Sequence, residues 1–161
     1  MIIRLATPDD AAEMAALLNE IIRIGGTTAF QKETTAKAMR AFIRKLQTTG
    51  CIHVARDRET GVLLGYQSLE AYPDLPKTLG IIATFAKVGN TARGIGTALF
   101  AATRQAAPAL GFTEMDATIR ADNTGGLAYY SKMGFVDHLV AKAVQLDDGT
   151  LVDRVSKRLK L

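Results

Sequence analysis

Two segments restrict what this 161-residue chain can fold into: Val88-Gly-Asn-Thr-Ala-Arg-Gly94-Ile-Gly96-Thr97 and, starting 27 residues after Gly96, Asn123-Thr-Gly-Gly-Leu-Ala-Tyr-Tyr130-Ser-Lys-Met-Gly134-Phe135. The first follows the apolar run Thr78 to Val88 and precedes a helical pattern on Leu99, Ala102, Thr103, Ala106 and Leu110, so it reads as a glycine turn between a strand and a helix. The second begins where another β pattern, Thr113 to Ile119, ends, and it carries two adjacent tyrosines on a short helix. Strand, helix and strand imply a right-handed parallel crossover. The first amides of a helix lack internal partners, glycine lets a diphosphate approach them, and the helix dipole favours its charge. Together the segments describe a site for a long phosphorylated cofactor with a reactive end.

The rest of the chain alternates helix and strand patterns without repeats. Ile2 to Leu5 is a short strand. Thr7-Pro-Asp-Asp10 supplies an N-cap, a first-turn proline and acid for a helix whose inner face is Met14, Leu17, Leu18 and Ile21, ended by Gly25-Gly26. Met39, Phe42, Ile43 and Leu46 mark a second helix closed by Gly50. Cys51 to Arg56 and Val62 to Ala71 read as strands joined by Asp57 to Gly61. Pro108 should distort or end the last turn of the helix after the glycine motif. Phe135 to Leu146 and Thr150 to Leu159 read as a hairpin around Asp147-Asp-Gly149.

An apolar share of 48% over this length suits a single domain, residues 1–161, with a sizeable core. No apolar run is long enough to cross a bilayer, and the first residues lack a charged leader region followed by an apolar stretch, so a cytoplasmic protein without a membrane partner is expected. The net charge of +4 is scattered, and neither Lys37, Arg40, Arg44 and Lys45 nor the basic C-terminal residues are interleaved with aromatics, which argues against a nucleic-acid partner. The one cysteine, Cys51, excludes an internal disulfide and reads as a half-buried thiol, and with two histidines in all, Cys51 and His53 lack the company for a metal site, so none is expected.

Two other phosphate loops fail on these residues: a P-loop needs Gly-Lys-Ser/Thr, and a dinucleotide fingerprint needs a third glycine where Leu99 stands. Asn123 sits where an N-cap belongs, and its amide could also face a cofactor. Tyr129 and Tyr130 point about a hundred degrees apart on a helix, so one of them at most is expected to reach the site.

Thr91-Ala-Arg-Gly94-Ile-Gly96 resembles the cofactor motif Arg/Gln-x-x-Gly-x-Gly/Ala of the GNAT superfamily of N-acetyltransferases, and Asn123 through Gly134-Phe135 resembles its second motif. The element order is similar over nearly the whole chain. Within the superfamily, Ile3 to Asp10 and Ile22 to Phe30 look like the phosphinothricin acetyltransferase-like branch. The resemblance implies an α/β fold, with a central twisted mixed sheet of about six to seven strands flanked by about four helices. It also implies acetyl-CoA as co-substrate and transfer of its acetyl group to a primary amine by direct attack. The expected acceptor is a small molecule, an amino acid or analogue; acetylation of a protein amine, or acyl-CoA binding without turnover, are the alternatives. A homodimer through the apolar C-terminal hairpin is the one macromolecular partnership considered.

By the same resemblance Tyr130 is the general acid toward the CoA sulfur, or else packs in the core. Cofactor contacts fall to Ala86, Lys87, Val88, Arg93, Gly94, Ile95, Gly96, Thr97, Asn123 and Tyr130, with an oxyanion donor among the backbone N–H groups of Phe85 to Val88. Two departures stand out. Thr91 replaces the usual Arg or Gln. The branch's strand glutamate corresponds to about Ile81, and no carboxylate lies from Lys77 to Val88, so the amine's proton goes to water, Glu70, Asp116 or His138. Glu70 and Asp116 otherwise read as solvent-facing strand positions, and His138 as an ordinary hairpin residue.

Overall fold

The computed structural model describes residues 1–89 and 94–161. The elements run β1 Ile2–Leu5, α1 Ala11–Ile24, α2 Ala36–Thr49, β2 Gly50–Arg56, β3 Leu63–Glu70, β4 Leu79–Ala86, α3 Ile95–Ala106, β5 Glu114–Arg120, α4 Thr124–Lys132, β6 Val136–Gln145 and β7 Leu151–Lys160. The strands form one mixed seven-stranded sheet in the order β1-β2-β3-β4-β5-β7-β6. Only β4 and β5 pair in parallel; the other neighbours are antiparallel.

Period-2 alternation divides the strands between two cores. On one face Met14, Leu18 and Ile21 of α1 and Met39, Ile43 and Leu46 of α2 pack against Ile52, Val54 and Tyr66. On the other, Phe100 of α3 and Tyr130 of α4 pack with Leu69, Ile82, Met115 and Ile119. The first core contains no residue of β5 or β7, and on the α1/α2 side these strands present a polar floor: Asp116, Thr118 and Arg120 from β5, and Arg154, Ser156 and Arg158 from β7, with Thr118 exposed and Asp116 and Ser156 buried.

Helix ends follow the sequence signals. Thr35 caps α2 by accepting from Ala38 N–H at 3.1 Å. Pro8–Asp10 forms a 3-10 turn ahead of α1. There the Asp10 carboxylate, 1% exposed, accepts a two-pronged Arg4 fork at 2.8 Å, Thr7 N–H at 2.8 Å and Arg56 Nη2 at 2.6 Å. The cluster ties β1, the start of α1 and β2 together. Pro108 converts the end of α3 into a 3-10 turn, Ala107–Leu110, and the redirected chain leaves Leu110 exposed instead of on the inner helix face.

Candidate active site

The parallel pairing of β4 with β5 spans only Leu79↔Glu114, Gly80↔Met115 and Ile81↔Asp116. Beyond Ile81, β4 continues to Ala86 paired with β3 alone, so the two strands diverge into a wedge. Lys87 N–H donates to Leu64 O at 2.9 Å. Antiparallel alternation from that bond turns the N–H groups of Phe85 and Ala83 toward β3 and those of Ala86 and Thr84 into the wedge. Of the β4-end residues predicted to contact a cofactor, Ala86 therefore presents its N–H to the wedge, whereas the Lys87 N–H is already bonded. Val88 lies in the turn that follows, about half exposed.

The wedge leads to the start of α3. Gly94 caps this helix at φ +86°, a left-handed conformation suited to glycine, so the amides of Ile95, Gly96 and Thr97 open the helix as expected. Arg93 and Thr91 lie outside the described residues. Gly96 has a packing reason as well: a Cβ there would sit 2.6 Å from Cε2 of Tyr129.

The two tyrosines of α4 converge, against the expectation that one at most would reach the site. The Tyr130 hydroxyl shares a 2.8 Å hydrogen bond with Thr84 Oγ1. The Tyr129 hydroxyl donates to Gly96 O at 2.8 Å and accepts from Gln67 Nε2 at 3.1 Å. Gln67 also donates to Thr84 at 2.8 Å. The hundred-degree offset is overcome because Tyr129 lies across Gly96, while Tyr130 turns inward, its ring 5.2 Å from that of Phe135. Tyr130 is thus a core residue whose hydroxyl is hydrogen-bonded to Thr84, and its burial pushes the phenol above the ordinary range, only partly countered by Thr84. Gln67, fully buried, keeps its Oε1 without a partner among the described residues.

Asn123 is an N-cap: Oδ1 accepts from Gly126 N–H at 2.9 Å, and Nδ2 donates to Thr27 O at 3.1 Å. Oδ1 thus caps α4 while Nδ2 ties the cap to the α1–α2 loop, and the second N–H of Nδ2 has no partner among the described residues.

On the floor, strand register sets a row that sequence spacing could not show: Glu70 lies opposite Ile81, Ile81 opposite Asp116, and Asp116 opposite Arg158. The position that lacks a carboxylate is therefore flanked by two. Neither is the solvent-facing strand residue expected. Asp116 is buried, holding Ser156 Oγ, Arg158 Nε at 2.9 Å and Thr118 Oγ1 at 3.0 Å. The Glu70 side chain is 14% exposed and pairs with the largely exposed Lys45 at 2.9 Å through Oε2. His138 is exposed on β6, separated from β5 by β7. Cys51 is a core thiol, pushed up to about 11 by burial, and His53 is buried against Thr103 Oγ1 at 3.1 Å.

A cavity of about 340 Å³ opens at the far end of the floor, lined by Ile22, Gly25, Thr28, Phe30, Arg120 and Asp148 among others. The loop from Gly25 to Phe30 forms one wall. Arg120 and Asp148 were missed, although the polar alternation Asp116-x-Thr118-x-Arg120 was a signal for one open strand face.

A family model described as an acetyltransferase (GNAT) domain matches residues 1–136. Comparison with curated proteins by sequence gives no match. Among solved structures, the chain is similar to the ribosomal-protein-alanine N-acetyltransferase from Brucella melitensis, with 20% identity, TM-score 0.90 and 100% of each chain covered. An N-acetyltransferase from Staphylococcus aureus Mu50 gives 20% identity and TM-score 0.89, covering 99% of this chain and 97% of that one. A GNAT superfamily phosphinothricin acetyltransferase from Sinorhizobium meliloti, in complex with acetyl-CoA, gives 22% identity and TM-score 0.89 over 99% of this chain and 88% of that one. At these identities the structural likenesses speak for the fold, and the family match adds the rest: the chain belongs to the GNAT family of acetyltransferases.

Proposed function

We propose that the protein transfers the acetyl group of acetyl-CoA to the primary amine of a small molecule, an amino acid or amino-acid analogue, by direct attack. The observation that carries this reading is the β4–β5 wedge, which joins the N-terminus of α3 to the Tyr130–Thr84 pair and the polar floor. The reading takes residues 1–161 as one domain, since a single sheet draws strands from both ends of the chain.

The residues fit acetyl-CoA. An extended chain bearing amides complements the free edge of β4, and the α3 amides from Gly94 to Thr97 complement a pyrophosphate. Acetyl-CoA supplies the acetyl group as a thioester. The N–H of Ala86, aimed into the wedge, is the donor for the developing oxyanion. Tyr130 donates to the departing sulfur.

An alkylammonium has a pKa of about 10 and must lose its proton before or during attack. Asp116 is buried with both carboxylate oxygens bonded. Glu70 has one oxygen on a flexible surface lysine and Oε1 without a partner among the described residues. Glu70 is accordingly the proton acceptor, directly or through a water. Glu70→Gln should lower kcat/KM about 100-fold near pH 7 and regain most of it toward pH 10, where the amine deprotonates in solution; pH profiles of variant and wild type that run parallel would remove Glu70 from the mechanism.

The whole reading is tested by thermal shift and by thiol release across an amine panel. Acetyl-CoA at about a hundred times its Kd should stabilise the protein by roughly 2.7 kcal/mol, and at least one small amine should release thiol. Binding without turnover of any amine would favour an acyl-CoA-binding regulatory domain, and absence of a shift would remove the cofactor reading itself.

A further inference from the structure

We propose that Arg154 is an anion clamp in the acceptor site, so that the acceptor is a primary amine that also carries a carboxylate. This rests on the reading above, in which the acceptor lies over the polar floor beside Glu70. Arg154 stands on β7 directly opposite Arg120 of β5 and Ala141 of β6. Like charges placed opposite each other across strands repel. Each of the other floor cations has an acid: Arg120 has Asp122 at 2.7 Å, Arg158 has Asp116 and Glu114, and Lys45 has Glu70. Among the described residues Arg154 has none, and its Nε is buried without a hydrogen-bond partner.

A merely solvated surface arginine accounts for a missing ion pair but not for a buried, unbonded Nε–H, since a buried donor is normally paired. A planar guanidinium presents paired donors matched to a carboxylate. Arg154 and Glu70 stand on rows four residues apart along β5, Arg120 and Asp116, about 13 Å at strand rise, and three strands apart across the sheet, roughly a further 14 Å at inter-strand spacing. Two long side chains reaching inward from those rows leave room for a small bifunctional molecule with its amine toward Glu70 and its carboxylate on Arg154. A protein lysine has no such anion, and an uncharged amine would leave the guanidinium unmatched.

The test measures thiol release from acetyl-CoA with the twenty common L-amino acids and their α-carboxamides as acceptors, for wild type, Arg154→Gln and Arg154→Lys, alongside melting temperatures. The clamp predicts at least one amino acid used at about 30-fold or higher kcat/KM than its carboxamide. Arg154→Gln should abolish that preference by lowering only the carboxylated acceptor, and Arg154→Lys should restore part of it. The melting temperature of Arg154→Gln should equal or exceed wild type, because repulsion with Arg120 is relieved. Equal use of acids and amides, an equal loss on both in Arg154→Gln, or a lowered melting temperature overturns the clamp. Turnover of carboxamides alone overturns the clamp and leaves the acetyl transfer standing; no turnover with any acceptor overturns both.

Discussion

Tyr130→Phe will lower kcat about 100-fold while leaving the KM for acetyl-CoA within about two-fold of wild type. The substitution keeps the ring, which lies 4.8 Å from Tyr129 and 5.2 Å from Phe135, and removes only the hydroxyl bonded to Thr84 at 2.8 Å. Stability should therefore fall by about 1 kcal/mol, the value of one ordinary hydrogen bond. Burial raises the Tyr130 phenol above its usual range, so the group stays protonated at neutral pH and can serve as an acid but not as a base. A thiol ionises at about 8.5, below this phenol, so outright transfer to a free thiolate runs uphill. The benefit arises as charge builds on sulfur in the transition state, where a fixed donor is worth most. Steady-state kinetics that place Tyr130→Phe within threefold of wild type would reduce Tyr130 to a packing residue.

Asp10→Asn will destabilise the fold by about 2–3 kcal/mol at neutral pH, lowering the melting temperature by roughly 4–12 °C for a chain of this size. Asp10 is 1% exposed and holds Arg4, Thr7 N–H and Arg56 at once. Asparagine is nearly isosteric, but it carries no charge and turns an amide toward one guanidinium. Burial alone would raise the Asp10 pKa, yet the Arg4 fork, the Thr7 N–H and Arg56 outweigh it and hold the carboxyl well below the usual range. Between the folded and unfolded pKa values the unfolded chain binds the extra proton, so stability rises with pH there. The Asp10 contribution is fully present above the unfolded value of about 3.9 and is lost as the pH falls toward the folded one. The deficit of Asp10→Asn should accordingly shrink in melts below pH 4; a deficit independent of pH would mean that shape, not charge, is what Asp10 supplies.

Much of the fold was legible because its signals are local. Met14, Leu17, Leu18 and Ile21 repeat at helical spacing and are all buried, and Gly94 marked the turn into α3 by the conformation that glycine tolerates. Leu110 was misplaced because Pro108 reshaped the turn beneath it. Asn123 was legible as a cap, since capping is a contact within three residues, whereas its bond to Thr27 O across the molecule was not. The floor residues were legible only as alternating polar positions; which strands they would face depended on β7 entering between β5 and β6.

By itself the sequence determined the elements, the glycine turn beside the second motif, and hence the family and the expected donor, because each depends on residues close together in the chain. The tertiary structure decided the rest of the chemistry. Register placed Glu70 and Asp116 on either side of Ile81 and set Arg154 against Arg120; the divergence of β4 from β5 opened the wedge; and helix packing brought both tyrosine hydroxyls to one polar cluster. Alternation along one strand says which residues share a face, but cross-strand neighbours depend on how distant segments dock, and a shift of one residue would turn each side chain to the opposite face.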